Sequence, residues 1–188
     1  MCTGVVMISD LTEKVLRSNI IYRGRILNLR VDTVELPDGR TAKREIVEHA
    51  GAVIIVPLKQ DGQLLLVRQY RSATGRTALE LPAGNIEPGE ELESAALREL
   101  QEETGYKAKE LVRLCSFFST PGFSDEELHL FFASGLTLLN QNLDEDEFVE
   151  VLTVPWENAI QMIWSGEICD AASVAGILAV DSYMKNRL

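Results

Sequence analysis

The chain has 188 residues, of which 46% are hydrophobic, and a net charge of −11 from 29 acidic and 18 basic side chains. This length and composition predict one globular domain, or one domain with a small appendage, and exclude a disordered chain. The acidic balance argues against a protein that binds nucleic-acid backbones, because such a protein carries a basic surface.

The N-terminal segment MCTGVVMISD has neither a basic stretch nor a long apolar run, so no secretory leader is expected. No part of the sequence reaches the roughly 18 apolar residues that a membrane span requires. The cysteines Cys2, Cys115 and Cys169 are scattered and odd in number, which predicts neither a disulfide framework nor a zinc site. These features predict a reduced, cytoplasmic protein.

Residues 1–48 are predicted to form a small antiparallel sheet. Residues 20–34 place polar side chains between apolar ones, Pro37-Asp38-Gly39 signals a turn, and a second polar–apolar run follows it. Because so small a sheet is not stable alone, it is expected to pack against another structure.

Residues 49–188 alternate between strand and helix patterns. Strands are predicted at 51–58, 63–70, 79–83, 111–118, 128–133 and 148–154, and helices at 90–104, from Pro155 onward and at 171–185. This order predicts an α+β domain built in layers.

The segment GNIEPGEELESAALRELQEETGY, residues 84–106, carries most of the functional information. It reads as a loop, a helix and a glycine stop at Gly105. On a helical wheel, Glu99 and Glu103 fall within the apolar arc and Glu102 lies at its margin. The spacing therefore predicts three carboxylates that share one inward-facing surface, in place of a solvated acidic helix face.

Carboxylates at these spacings repel one another, and burial also removes their hydration. A basic neighbour such as Arg98 or a bound cation would offset that cost. Oxygen ligands alone favour Mg²⁺ or Mn²⁺ over zinc or copper. The helix therefore predicts a site for hard divalent cations, which phosphate chemistry uses.

The same segment resembles the Nudix box, G-x5-E-x7-R-E-U-x-E-E-x-G-U, with Tyr106 at the last aliphatic position U. The resemblance implies an α+β fold (an α/β/α sandwich) with a mixed sheet between helices, plus the small N-terminal antiparallel sheet. It also implies metal-dependent hydrolysis of a nucleoside diphosphate linked to another moiety. In such a protein, residues 1–48 would provide dimerisation and a substrate arm, and residues 49–188 the catalytic domain.

Further segments resemble the ADP-ribose pyrophosphatase branch of that family. They are YRGRILNL, REIVEH, VRQYRSA, LELPAG and STPGFSDE, in which Pro121 lies 16 residues beyond Gly105. This resemblance implies cleavage of ADP-ribose to AMP and ribose 5-phosphate. The alternatives are another nucleotide sugar, such as GDP-mannose or ADP-glucose, and a binding module without catalysis. The retained glutamates argue against the last.

The resemblance also implies site residues and an assembly. The implied metal ligands are the Ala83 carbonyl, Glu99, Glu102 and Glu103, with Glu80 and Glu87 as further candidates for supporting them. The implied substrate contacts are Arg71 for the diphosphate, Glu126 for the terminal ribose, and Arg25, Ile26 and Glu45 for adenine. Family members are homodimers joined through the N-terminal sheet. Taken singly, Arg71 also reads as a surface ion-pair partner and Glu126 as a solvated loop acid.

The catalytic base must lie outside the helix if the helix glutamates bind metal. The acidic loop Asp144-Glu145-Asp146-Glu147 is the candidate segment, and the family resemblance points to a glutamate there. Glu147 is favoured, and Glu145 is the alternative.

Overall fold

The computed structural model describes residues 10–143, 145 and 147–186, so Cys2, Asp144 and Asp146 lie outside the described residues. The chain divides into two compact units. The N-terminal unit comprises the residues up to His49 together with Thr120–Glu126, and the larger unit comprises the rest. Among the described helices, none is long and apolar enough to cross a membrane.

The N-terminal unit is built on an antiparallel sheet in the order β1-β2-β3. Its strands are β1 (Lys14–Arg23), β2 (Leu27–Glu35) and β3 (Thr41–His49). Residues 20–34, predicted as one polar–apolar run, contain the turn between β1 and β2, where the Gly24 N–H donates to the Leu27 carbonyl at 2.9 Å. The segment Thr120–Glu126 lies beside β3, since the Val47 N–H donates to the Phe123 carbonyl at 2.8 Å.

The larger unit follows the predicted alternation of strands and helices. Its strands are β4 (Ala52–Pro57), β5 (Gln63–Arg71), β6 (Arg76–Glu80), β7 (Ala83–Asn85), β8 (Tyr106–Lys107), β9 (Glu110–Phe118), β10 (Glu127–Ser134), β11 (Thr137–Leu138) and β12 (Glu150–Pro155), and its helices are α1 (Leu92–Thr104), α2 (Trp156–Ser165) and α3 (Ala171–Lys185). The two-residue strands β8 and β11 were not predicted, because so short a pairing leaves no periodicity in the sequence.

A mixed sheet in the order β7-β4-β10-β9 forms the centre of this unit, with β4 and β10 parallel. Strand β4 is buried throughout, and its side chains alternate between two cores. Val53 and Ile55 pack in the core formed with α1. Ile54 and Val56 pack in the core that contains Ile177 of α3. The sheet therefore lies between helices, which confirms the predicted α/β/α sandwich.

A second sheet, in the order β12-β5-β6, places the end of β5 beside β6. The turn between these strands closes on Arg71, whose carbonyl accepts the N–H groups of Thr74 at 3.0 Å and Gly75 at 2.9 Å. Only Leu81 and Pro82 then separate the end of β6 at Glu80 from the start of β7 at Ala83. The end of β5, the whole of β6 and the start of β7 thus lie within residues 71–83.

Helix α1 ends where the sequence predicts. Gly105 adopts the left-handed conformation with φ 73°, and its N–H donates to the Gln101 carbonyl at 2.8 Å. Any residue other than glycine is disfavoured in this left-handed conformation. The helix begins at Leu92, two residues later than predicted, because Glu91 is still extended with ψ 142°.

Ser173 of α3 holds the backbone that leads into β7. Its buried hydroxyl accepts the Leu81 N–H at 2.8 Å. Replacing Ser173 by alanine is expected to lower the free energy of unfolding by about 1–3 kcal/mol, because the Leu81 N–H is left buried and unpaired. Urea denaturation measures the loss, and Ser182→Ala on the exposed face of α3 is the matched control. Equal stability of the two variants would contradict this role.

Candidate active site

The three carboxylates of α1 are buried to different degrees. Glu103 is 4% exposed, and the side chains of Glu99 and Glu102 are 13% and 32% exposed. This gradient agrees with the helical wheel, on which Glu99 and Glu103 lie in the apolar arc and Glu102 at its margin. The helix therefore directs carboxylates toward the protein interior.

These carboxylates meet the backbone of β7. The Ala83 N–H donates to Glu103 Oε2 at 2.9 Å. The Glu99 carboxylate lies directly over Gly84, so that a Cβ at position 84 would overlap it. Strand β7 is held in place by pairing with β4, through Ile54 opposite Ala83. The structure thus brings Ala83, Glu99 and Glu103 together.

Gly84 is required by this close approach. Replacing Gly84 by alanine is expected to displace the Glu99 carboxylate and to lower kcat/KM by about 100-fold, the effect of a misplacement of about 1 Å. The β7–β4 pairing remains available to alanine, so the circular dichroism spectrum is expected to be unchanged. Steady-state kinetics on the folded variant measures the effect. Wild-type kcat/KM would show that the Glu99 position is not needed.

Arg98 links the carboxylates to one another. Its Nε and Nη2 atoms donate to Glu90 at 2.9 and 2.8 Å, and Nη1 donates to Glu99 at 2.7 Å and Glu102 at 2.9 Å. The hydrogen bond from Arg98 is the main reason that the pKa of Glu90 lies below its ordinary value. One guanidinium therefore orients three acidic side chains.

Nearby positive charge in the protein does not fully offset the burial of the Glu99 and Glu103 carboxylates. Burial raises the pKa of Glu103 to about 8, against the hydrogen bond from the Ala83 N–H, and the charges of Glu99 and Glu147 add to the rise. Burial likewise raises the pKa of Glu99, with Arg98 acting in the opposite direction. The site favours either protonation or a bound cation.

The raised pKa of Glu103 predicts a pH-dependent stability of the metal-free protein. Between its ordinary value of 4.5 and about 8, the folded state binds more protons than the unfolded state, so the free energy of unfolding falls as pH rises. Glu103→Gln is expected to lack this fall and to be more stable at pH 8 by about 1–3 kcal/mol. Urea denaturation in EDTA at pH 5 and pH 8 tests this. A decline of equal size in the variant would assign it to other groups.

The donor atoms at this site suit a hard cation. Within residues 10–143, 145 and 147–186, no three acidic, histidine or cysteine side chains are grouped as ligands of one ion. Mg²⁺ is commonly held by one or two carboxylates together with water and substrate phosphates. The Glu99 and Glu103 carboxylates beside the 83–84 backbone fit that mode.

Arg71 lies at the end of β5 and is paired with Glu80. Its Nε is 2.9 Å and its Nη2 2.7 Å from Glu80 Oε2. Burial dominates the pKa of Glu103, and the Arg71 charge acts on it in the opposite direction, so Arg71 is near enough for its charge to act on Glu103. Glu80, a candidate for supporting the metal ligands, is bound by Arg71. In the strand register Arg71 lies opposite Arg76 and Glu80 lies opposite Val67, so neither spacing nor strand pairing reveals this pair in the sequence.

The acidic loop contributes one carboxylate that acts on the helix. After burial, the dominant cause, the charge of Glu147 is among those that raise the pKa of Glu99 and Glu103. Glu145 stands exposed in the turn. Glu87 is also exposed, and its N–H donates to Glu90 at 3.1 Å.

The remaining candidate residues belong to the N-terminal unit. Glu126 Oε1 lies 3.5 Å from Nδ1 of His49. Arg25 and Ile26 lie in the turn between β1 and β2, and Glu45 is exposed on β3 opposite Val31. The His49–Glu126 contact was not predicted, because it depends on where the segment Thr120–Glu126 returns to β3.

Comparisons with known proteins match nearly the whole chain. The NUDIX domain model matches residues 47–171, and the model of a nucleoside diphosphate sugar hydrolase N-terminal domain matches residues 13–47. An ADP-ribose pyrophosphatase of Bacillus subtilis is 45% identical over 89% of this chain and 92% of its own length. A methanol dehydrogenase activator of Bacillus methanolicus is 42% identical, over 88% and 90%. The crystal structure of an ADP compounds hydrolase aligns with a TM-score of 0.83 and 26% identity, covering 93% of this chain and 95% of that one.

Proposed function

Because this chain belongs to the Nudix family of hydrolases and cleaves nucleotide-sugar diphosphates, we propose that its substrate is ADP-ribose and its products are AMP and ribose 5-phosphate. The observation that carries the proposal is the meeting of Glu99 and Glu103 with the Ala83–Gly84 backbone. The similarity to an ADP-ribose pyrophosphatase over almost the full length of both chains supports the choice of substrate.

The proposed ligands of the cation are the Ala83 carbonyl, Glu99, Glu102 and Glu103. Mg²⁺ or Mn²⁺ is proposed because every donor in this set is an oxygen. When bound, the cation supplies the positive charge that a diphosphate requires beside these carboxylates and polarises its phosphoryl oxygens. Arg98 keeps Glu99 and Glu102 in one orientation through Nη1.

The proposed chemistry uses one residue that binds the diphosphate and one that accepts a proton. Arg71 binds phosphate oxygens, for which a guanidinium is well suited. Glu147 accepts the proton of the attacking water, with Glu145 as the alternative base. The influence of Glu147 on the pKa of Glu99, to which burial contributes most, supports Glu147.

The N-terminal residues 1–48 are proposed to form the dimer interface and to contribute the adenine site through Arg25, Ile26 and Glu45, with Glu126 accepting hydrogen bonds from the terminal ribose. Strand β1 is exposed along its whole length and carries large apolar side chains, including Ile21 and Tyr22. Such a surface is typical of a protein–protein interface. Sedimentation velocity tests it: the wild type is expected as a dimer, and Ile21→Glu as a monomer. A monomeric wild type would refute it.

A substrate panel tests the proposed function. Purified protein is assayed with Mg²⁺, and nucleoside monophosphate release is followed by chromatography. AMP release from ADP-ribose is expected to exceed AMP release from ADP-glucose and GMP release from GDP-mannose, and EDTA is expected to abolish all three. Preference for GDP-mannose would replace the proposed substrate. No release from any nucleotide sugar would favour a binding module.

A further inference from the structure

The Arg71–Glu80 pair has a geometry that an ordinary surface ion pair does not require. Glu80 is almost fully buried, with its side chain 9% exposed, whereas the side chain of Arg71 is 46% exposed. Both Nε and Nη2 of Arg71 lie within 2.9 Å of Glu80 Oε2. The buried Glu80 carboxylate thus binds the guanidinium edge that carries Nε and Nη2, and the rest of the Arg71 guanidinium is the more exposed part of the pair.

The guanidinium of Arg71 has N–H donors that Glu80 does not use. In the part of the chain that the structure describes, Nη1 of Arg71 makes no hydrogen bond or ion pair. A guanidinium has a side edge formed by Nε and Nη2 and an end edge formed by Nη1 and Nη2. With its side edge on Glu80, Arg71 presents Nη1 and the second N–H of Nη2, a pair that matches two phosphate oxygens.

The same backbone segment carries the partner of Arg71 and a candidate metal ligand. Glu80 is followed by Leu81, whose N–H is bound by Ser173 at 2.8 Å. Ala83, whose N–H is bound by Glu103 at 2.9 Å, comes after Pro82. The turn after β5 fixes the Arg71 end through its carbonyl. The segment that connects Glu80, the partner of Arg71, to Ala83 is therefore short and is held by hydrogen bonds at Leu81 and at Ala83.

We propose that Glu80 is a positioning residue, which orients Arg71 so that its free edge meets the diphosphate of the substrate while the same segment presents the Ala83 carbonyl. This inference rests on the proposed function and assigns a role to a residue that touches neither substrate nor cation. Glu80 acts only through Arg71. Loss of Glu80 therefore has a kinetic effect only while Arg71 is present.

A double-mutant cycle tests the proposal, with kcat/KM measured on the best nucleotide sugar of the panel. Arg71→Ala is expected to lower kcat/KM roughly 100-fold and Glu80→Gln roughly 10-fold. The double variant is expected to equal Arg71→Ala, because Glu80 has nothing left to orient. If Glu80→Gln costs the same factor in both backgrounds, or nothing in the wild type, the proposal is overturned.

Two further variants keep the test decisive. Arg71→Lys retains the charge but cannot hold Glu80 side-on, so a loss of about 10-fold is expected even if Glu80→Gln fails to fold; unchanged kcat/KM would overturn the proposal. Glu150→Gln removes an exposed pair with Arg68 on the same strand β5, and is expected to leave kcat/KM unchanged. The wild type is measured in the same assay, so a failure of the proposed function is seen there, independently of Glu80.

Discussion

Replacing Glu103 by glutamine is expected to lower kcat/KM with Mg²⁺ by about 10³-fold, because the loss of a metal ligand removes several kcal/mol of transition-state stabilisation. Glutamine keeps the size of the side chain and can still accept the Ala83 N–H through its amide oxygen. The substitution therefore removes the charge and leaves the packing of α1 intact. Steady-state kinetics over a range of Mg²⁺ concentrations measures the loss, and Glu99→Gln is expected to behave alike.

The matched control for this prediction is Glu93→Gln, which removes a carboxylate from the exposed face of the same helix. It is expected to retain wild-type kcat/KM. Far-UV circular dichroism confirms that the Glu103 variant is folded before its activity is compared. Full turnover in folded Glu103→Gln would remove Glu103 from the proposed ligand set.

Replacing Glu147 by glutamine is expected to lower kcat by about 10²–10⁴-fold, because an amide cannot accept the proton of the attacking water. Glu147 is exposed, so the substitution is expected to leave the midpoint of thermal unfolding unchanged. Substrate affinity is expected to change less than kcat, since the group acts in the chemical step.

Glu145→Gln is the natural comparison, because it lies in the same acidic loop and carries the same charge. A small effect is expected, in keeping with its exposed position in the turn. A large loss confined to Glu145→Gln would transfer the role of base to that residue. Wild-type kcat in both variants would exclude both loop glutamates as the base.

Much of the fold could be predicted because it depends on local patterns. The apolar run of β4, the helix that ends at Gly105 and the final helix α3 each follow from periodicity and stop signals in the sequence. The strands β8 and β11 could not be predicted, since two residues carry no period. The turn at Gly24 within the run 20–34 was also missed, because apolar and polar residues alternate on both sides of it.

The candidate site divides in the same way. The inward placement of Glu99 and Glu103 could be predicted because helix geometry alone determines which residues share a face. The pairing of Arg71 with Glu80 could not, because the two residues are not opposite each other in the register of β5 and β6 and meet only through their long side chains. Either residue alone is compatible with a surface ion pair, and only the folded structure shows which partner it has.

The sequence by itself determined the family, the chemistry and the helix that carries it, because spacing along one helix is a local property of the chain. Tertiary structure decided what that helix faces. The contact of Glu103 with the Ala83 N–H and the seat of the Glu99 carboxylate over Gly84 depend on β7 pairing with β4 some 30 residues earlier in the chain. Such contacts join segments that are far apart in the sequence, and no periodic pattern reveals them. Tertiary packing therefore decides that the acidic helix lies against the backbone of β7 and forms the candidate site.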